Sequence, residues 1–197
     1  MLRSIKNALR SKLSQPSRGI KAGVDVRIDR PNRISGHSSI VVGDRTSIGS
    51  DALISPIHEY AGQRFSPTIV IGKDVYIGPH LYLAAIGRVV IGDGCVLSEW
   101  VYINDCSHGL NPEAGLIMKQ PLISGGDVEI GEGSFLGYRA VILPGVRLGS
   151  HCIVGINSVV TQSFPAYSMI VGSPARLIKT WSPDKQSWLP VATPDVK

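Results

Sequence analysis

The sequence predicts an all-β solenoid, a triangular prism built from three short parallel strands per coil. Three observations predict it. Aliphatic residues recur every six positions over most of the stretch from Val42 to Val160. A small or β-branched residue often stands four positions after the aliphatic, as at Thr46, Ala52, Val75, Cys95, Val101, Ser134, Ala140, Val146, Cys152 and Ser158. Glycine commonly follows the aliphatic, where it permits a turn and a close backbone approach. A helix needs a period near 3.6 and a half-buried strand a period of 2, so a six-residue repeat suits neither alone. One inward aliphatic per six residues, stacked on its equivalents in neighbouring coils, satisfies the pattern.

The N-terminal residues 1–14 read as a short basic helix. Leu2, Ile5, Leu9 and Leu13 fall near one face, with Arg3, Lys6, Arg10 and Lys12 around the rest. Two readings stand side by side: a cap on the end of the prism, or a surface helix resting on an anionic membrane. Gln15-Pro16-Ser17 ends it, and residues 1–22 form an N-terminal segment apart from the solenoid of 23–172.

The repeat first shows at Val42-Gly43, Ile48-Gly49 and Ile54-Ser55, then at Ile71-Gly72, Ile77-Gly78 and Leu83-Ala84. After a two-residue slip come Ile91-Gly92, Leu97-Ser98 and Ile103-Asn104. The longest run is Ile130, Leu136, Ile142, Leu148, Val154 and Val160. Two segments break the rhythm, 56–68 and 109–127, and a solenoid expels such insertions as surface loops that commonly shape binding sites. The second begins directly after His108. Beyond Val160 the pattern fades. Residues 173–197 are expected to hold a short helix over Ala175 to Trp181, with Arg176 and Lys179 on its exposed side, and then an extended or frayed tail.

Composition bounds the function. The 197 residues carry a net charge of +5, but residues 1–33 hold nine Lys/Arg against two Asp, a net +7. The rest of the chain is slightly acidic, which argues against nucleic-acid binding by the prism. No apolar run approaches the ~20 residues of a membrane span. Three cysteines without a CxxC spacing suit a reducing cytoplasm better than a disulfide framework or a zinc knuckle.

The hexapeptide run, INDCSHG at 103–109, QPLISGG at 120–126 and SPAR at 173–176 resemble the hexapeptide-repeat acyltransferases. They are most similar to the maltose-acetyltransferase type of sugar O-acetyltransferase that works in O-antigen, capsule and exopolysaccharide synthesis. The resemblance covers roughly residues 40–180. It implies a left-handed parallel β-helix, a homotrimer, and acetyl-CoA lying in a groove between adjacent prisms. No metal is expected. The acceptor implied is a sugar hydroxyl of a surface glycan or its precursor. The location implied is the cytoplasm, at the inner face of the membrane if residues 1–14 touch lipid.

The catalytic histidine of the family maps onto His108, as the general base that takes the hydroxyl proton. On the cofactor side, Gly137 and Ala140 match small positions beside the pantetheine arm, and Ser158 and Thr161 match positions further along it. Arg176 and Lys179 match cations near the CoA phosphates. The sequence departs from the family at Cys106, where many relatives carry a first histidine, at Phe135 for Trp, and at Gln162 for Lys.

Around His108, Asp105 either orients the imidazole or caps the turn, and Glu99 is a candidate to hold the other ring nitrogen. Trp100 reads as a sugar-stacking platform or an interface aromatic, and His80 as a lining residue of the acceptor pocket. Cys106 with His108 lacks the third group and oxyanion motif of a Cys/His nucleophile. Other functions on the same prism are an amino-sugar N-acetyltransferase, an antibiotic acetyltransferase and a non-catalytic scaffold.

Overall fold

Each six-residue repeat forms one short strand and one corner, and three repeats complete a coil. The computed structural model describes residues 19–191. The chain visits three parallel sheets in turn. The first face runs from Lys21–Ala22 to Arg147–Leu148, the second from Arg27–Ile28 through Ile153–Val154, and the third from Arg33–Ile34 to Val159–Val160. Register partners lie 18 to 20 residues apart where no loop intervenes, as in Lys21↔Val41, Tyr76↔Val96 and Glu129↔Arg147. The partners Val41↔Val70 and Val90↔Glu129 are 29 and 39 apart, because the two predicted loops lie between them.

The fifteen repeat aliphatics from Val42 to Val160 are all buried, and form one continuous core. All ten corner residues singled out by the sequence are buried too. The polar ones are satisfied: Thr46 Oγ1 donates to the Gly72 carbonyl at 2.7 Å and accepts from Val75 N–H at 3.1 Å. Ser134 Oγ repeats the pattern three coils on, donating to the Gly149 carbonyl and accepting from Cys152 N–H. Small hydroxyls therefore fill the corner and bond the next coil at the same time. Glycine after the aliphatic is required by space: a Cβ at Gly131 would sit 2.4 Å from the Gly149 carbonyl carbon. Exposed ion pairs such as Arg88–Glu129 at 2.9 Å decorate the first face and add at most ~1 kcal/mol each.

The solenoid starts one coil earlier than the visible repeat. Ala22, Ile28 and Ile34 continue the six-residue spacing, and Ile28 is buried beneath the second face. Ile28 and Ile34 are each preceded by an arginine and followed by a polar residue rather than glycine, which hid the pattern. The N-terminal helix expected over 1–14 lies outside the described residues.

The expected C-terminal helix is not formed. Ala175–Ser182 is a strand that pairs antiparallel with Ser168–Gly172, and Ser187–Pro190 pairs antiparallel with it in turn. The last strand of the second face would otherwise leave a row of unpaired backbone groups, and folding the chain back pairs them. The described part of the tail, through residue 191, is thus paired as a strand, with Trp181 and Trp188 packed edge to face at 5.7 Å. A register shift between Met169 and Ile170 sets Lys179 opposite Met169 and Arg176 opposite Val171. Ile170, between them, points into the core. The irregularity therefore keeps Arg176 and Lys179 on one outward face, the co-facing that the helix reading assigned to them. Among the described residues no helix is long and apolar enough to cross a membrane.

The core argument is testable at Leu97, which is fully buried. Leu97→Ala should lower the unfolding free energy by about 2–5 kcal/mol in urea titration.

Candidate active site at the third corner

Both loops leave the prism at the same corner, between the third face and the first. The 56–68 excursion forms the small hairpin Glu59–Tyr60 with Gln63–Arg64. The longer excursion forms a second hairpin, Cys106–His108 antiparallel to Leu122–Ser124. Because insertions two coils apart emerge on one edge, they pack on each other. Ile86, Cys106 and Leu122 make a satellite core covered by Ile57, Tyr60 and Phe65. Gln63 acts as a surrogate strand: its Oε1 accepts from Leu122 N–H at 2.7 Å, and its Nε2 donates to the Leu122 carbonyl at 3.4 Å. Gln120, buried inside the longer loop, binds both backbone groups of Asn111 and the Gly115 carbonyl.

His108 sits in this assembly, half-buried. The Tyr60 ring meets its imidazole edge to face at 5.3 Å, and the Tyr60 hydroxyl donates to the Met118 carbonyl at 2.7 Å. One tyrosine therefore holds the imidazole and the loop together. Nδ1 of His108 is buried without a hydrogen-bond partner, and so is Oδ1 of Asn104 four residues before it. Two unpaired buried polar atoms four residues apart are costly and uncommon, and each calls for an explanation such as a catalytic role.

Asp105 does not orient His108. Its carboxylate accepts Ile86 N–H at 2.9 Å and Gly87 N–H at 2.8 Å, so it caps the corner of the preceding coil. Buried and fully engaged, Asp105 positions the strand that carries His108 rather than the ring. Glu99 is exposed at the opposite end of that strand, at the second corner, and makes no bond to the imidazole. Trp100 and His80 also lie at the second corner, where their rings stack at 4.1 Å.

The family's cofactor positions divide. Residues 137–140 form the second corner of the coil after Trp100, and Ser158 ends that corner one coil further on. Ala140 and Ser158 have fully buried side chains, and Ser158 Oγ accepts Gly172 N–H at 3.1 Å, so only their backbone is presented to a ligand. Thr161 is exposed past the end of the third face, and Arg176 and Lys179 lie on the strand Ala175–Ser182. None of these lies at the corner of His108's hairpin, so one chain does not gather base and cofactor positions at one point. Tyr60 and Gln63 carry no signal in the sequence that marks them, and Asn104 is marked only as part of INDCSHG. Among the described residues no group of three or more His, Cys, Asp or Glu is arranged to hold a metal.

Residues 127–162 match the family described as the hexapeptide repeat of succinyl-transferase. The curated proteins that the chain resembles are acetyltransferases by name. A probable acetyltransferase of Mycobacterium tuberculosis is 30% identical over 138 residues, covering 70% of this chain and 41% of that protein. A putative lipopolysaccharide biosynthesis O-acetyl transferase, WbbJ of Escherichia coli, is 29% identical over 61% of this chain and 64% of its own length. The chain thus spans less than two thirds of these two relatives. The galactoside O-acetyltransferase of Escherichia coli is 24% identical over 76% of this chain and 70% of that enzyme. Among solved structures, AntD, an N-acyltransferase from Bacillus cereus in complex with dTDP and 3-hydroxybutyryl-CoA, superposes with a TM-score of 0.66 at 19% identity. That match covers 91% of this chain and 88% of AntD. A maltose O-acetyltransferase from Clostridium difficile superposes at 0.57 and 19% identity, over 90% and 85% of the two chains. These two likenesses show a shared fold.

Cys106 is chemically quiet. Burial, reinforced by the Asp105 charge and its hydrogen bond, pushes the thiol up to about 11. At pH 8 it is the neutral thiol, a poor nucleophile. Iodoacetamide at pH 8 should therefore label Cys106 in the folded protein at least about tenfold more slowly than in denaturant, read by mass spectrometry.

Proposed function

We propose that the protein is an acetyl-CoA-dependent acyltransferase that acetylates a sugar hydroxyl of a surface glycan or its precursor, with His108 as general base. The observation that carries this reading is the half-buried His108 imidazole, braced by Tyr60 and by two interlocked hairpins at one corner of a hexapeptide prism. A rigid mount suits a group that must meet a reacting atom at hydrogen-bond distance. The neutral imidazole takes the proton of the acceptor hydroxyl as its oxygen attacks the acetyl carbonyl. The C–S bond of the thioester then breaks, and the imidazolium passes its proton to the departing CoA sulfur, which restores the neutral base.

The left-handed β-helix and the homotrimer belong to this reading. The cofactor positions at 137–140 and 158 share the second corner, and His108 extends from the third. A groove between adjacent copies brings such corners together, with Arg176 and Lys179 for the CoA phosphates. Contact of residues 1–14 with the inner face of a membrane is part of the same proposal. The fold shared with AntD supports a second reading, an N-acyltransferase whose acceptor is an amino sugar. Parallel assays with hydroxyl and amine acceptors separate the two.

His108→Ala should reduce transfer by about 10²–10⁴-fold while CoA binding persists. Thiol release measures the first and calorimetry the second. A variant with full activity refutes the mechanism.

A further inference from the structure

Along the second corner, His80, Trp100 and Arg139 occupy equivalent positions in successive coils. Each has a left-handed backbone, with φ of 63°, 62° and 58°. Each donates its N–H to the coil before, to Ser50, Pro79 and Glu99 respectively. Asparagine and glycine suit that conformation, and an indole does not. The rings nevertheless form an ordered stack. His80 lies on Trp100 at 4.1 Å and 17°, and the Arg139 guanidinium lies 5.9 Å from the indole on the next coil. Beside them, on the third face, Tyr82 stacks on Tyr102 at 4.6 Å and 10°.

His80 and Trp100 of the first stack and both tyrosines of the second wall a cavity of about 570 Å³, with Asp51 and Arg33 also lining it. Within a single chain Trp100 is 46% exposed and Tyr82 38% exposed, so their flat surfaces are presented to the cavity. Among the described residues neither Asp51 nor Arg33 makes an ion pair. Flat aromatic walls with one carboxylate and one guanidinium match the two sides of a pyranose. Its apolar C–H face stacks on a ring, and its hydroxyls take charge-assisted hydrogen bonds.

His108 does not line this cavity. Within one chain the two are joined by the strand Tyr102–Asn104, and Trp100 and Asn104 are separated by about 13 Å at the usual rise per residue. We propose that the cavity is a carbohydrate subsite that holds a sugar unit of the acceptor distant from the hydroxyl that reacts. The preferred acceptor is then an oligosaccharide or a glycan chain, not a free monosaccharide. This inference rests on the transferase reading.

The test uses the full chain with maltotriose, cellotriose and chitotriose as probes. Saturation-transfer NMR and tryptophan emission should both report saturable binding to the unmodified protein. Binding should weaken at least about tenfold in Tyr82→Ala and in Trp100→Asn, whose new side chain suits the left-handed backbone. No response to any of the three sugars overturns the subsite, as does a response unchanged in both variants. Variants that break up an assembly of a protein that binds no sugar also overturn it, and assign the face to a second copy. Thiol release from acetyl-CoA is followed in the same samples with glycan acceptors. Transfer without a sugar response refutes the subsite and leaves the transferase reading intact. A response without transfer upholds the sugar platform and refutes that reading.

Discussion

The cross-section of the prism admits one aliphatic per face and one small residue per corner, and this constraint governs the rest of the molecule. Parallel strands stacked at sheet spacing leave no room to vary the interior from coil to coil. Ile91, Leu97 and Ile103 fill one level, and Cys95 and Val101 close the corners between them, all without measurable exposure. A longer corner residue would push the strands apart, and a shorter face residue would leave a void. Extra chain has one way out, as a loop at a corner.

Both insertions leave at the third corner, and the setting of His108 follows from that coincidence. A single loop there would be a surface appendage. Two loops two coils apart form a satellite core of their own, around Ile86, Cys106 and Leu122. Gln63 supplies both a donor and an acceptor to Leu122, and Tyr60 spans from the imidazole to Met118. His108 thereby acquires a rigid mount without belonging to the repeat. Asp105 serves the same end from below, since its two bonds to the preceding coil fix where the strand stops and the hairpin starts.

The regular part of this architecture was legible in the sequence because its causes are local. Fifteen aliphatics and ten corner residues follow from periodicity alone. What escaped depends on contacts distant along the chain. Tyr60 reaches Met118 across 58 residues, and Gln63 reaches Leu122 across 59, with no spacing rule to announce either. The segment from Ala175 to Trp181 was misread as a helix because Arg176 and Lys179 are three apart, a spacing that co-faces on a helix. An irregularity in a strand produces the same co-facing. The need to pair the sheet's last strand then decides the matter, which no local propensity records. Asp105 was left open between two roles, and the buried N–H groups of Ile86 and Gly87 resolve it.

Departures from the repeat's own rules are what the fold does not explain. An indole in a left-handed corner, two orphaned polar atoms beside His108, and exposed Leu110, Leu116, Ile117 and Met118 at the loop tip each lower the stability of an isolated prism. A sequence otherwise so consistent with its backbone would shed such features if the prism were only a scaffold. They cluster at two corners that bound a single face, the one carrying Tyr82 and Tyr102. The scaffold reading asks for uniform faces and interchangeable coils. A transferase with an extended acceptor asks for one face different from the others, reactive at one edge and adhesive at the opposite edge.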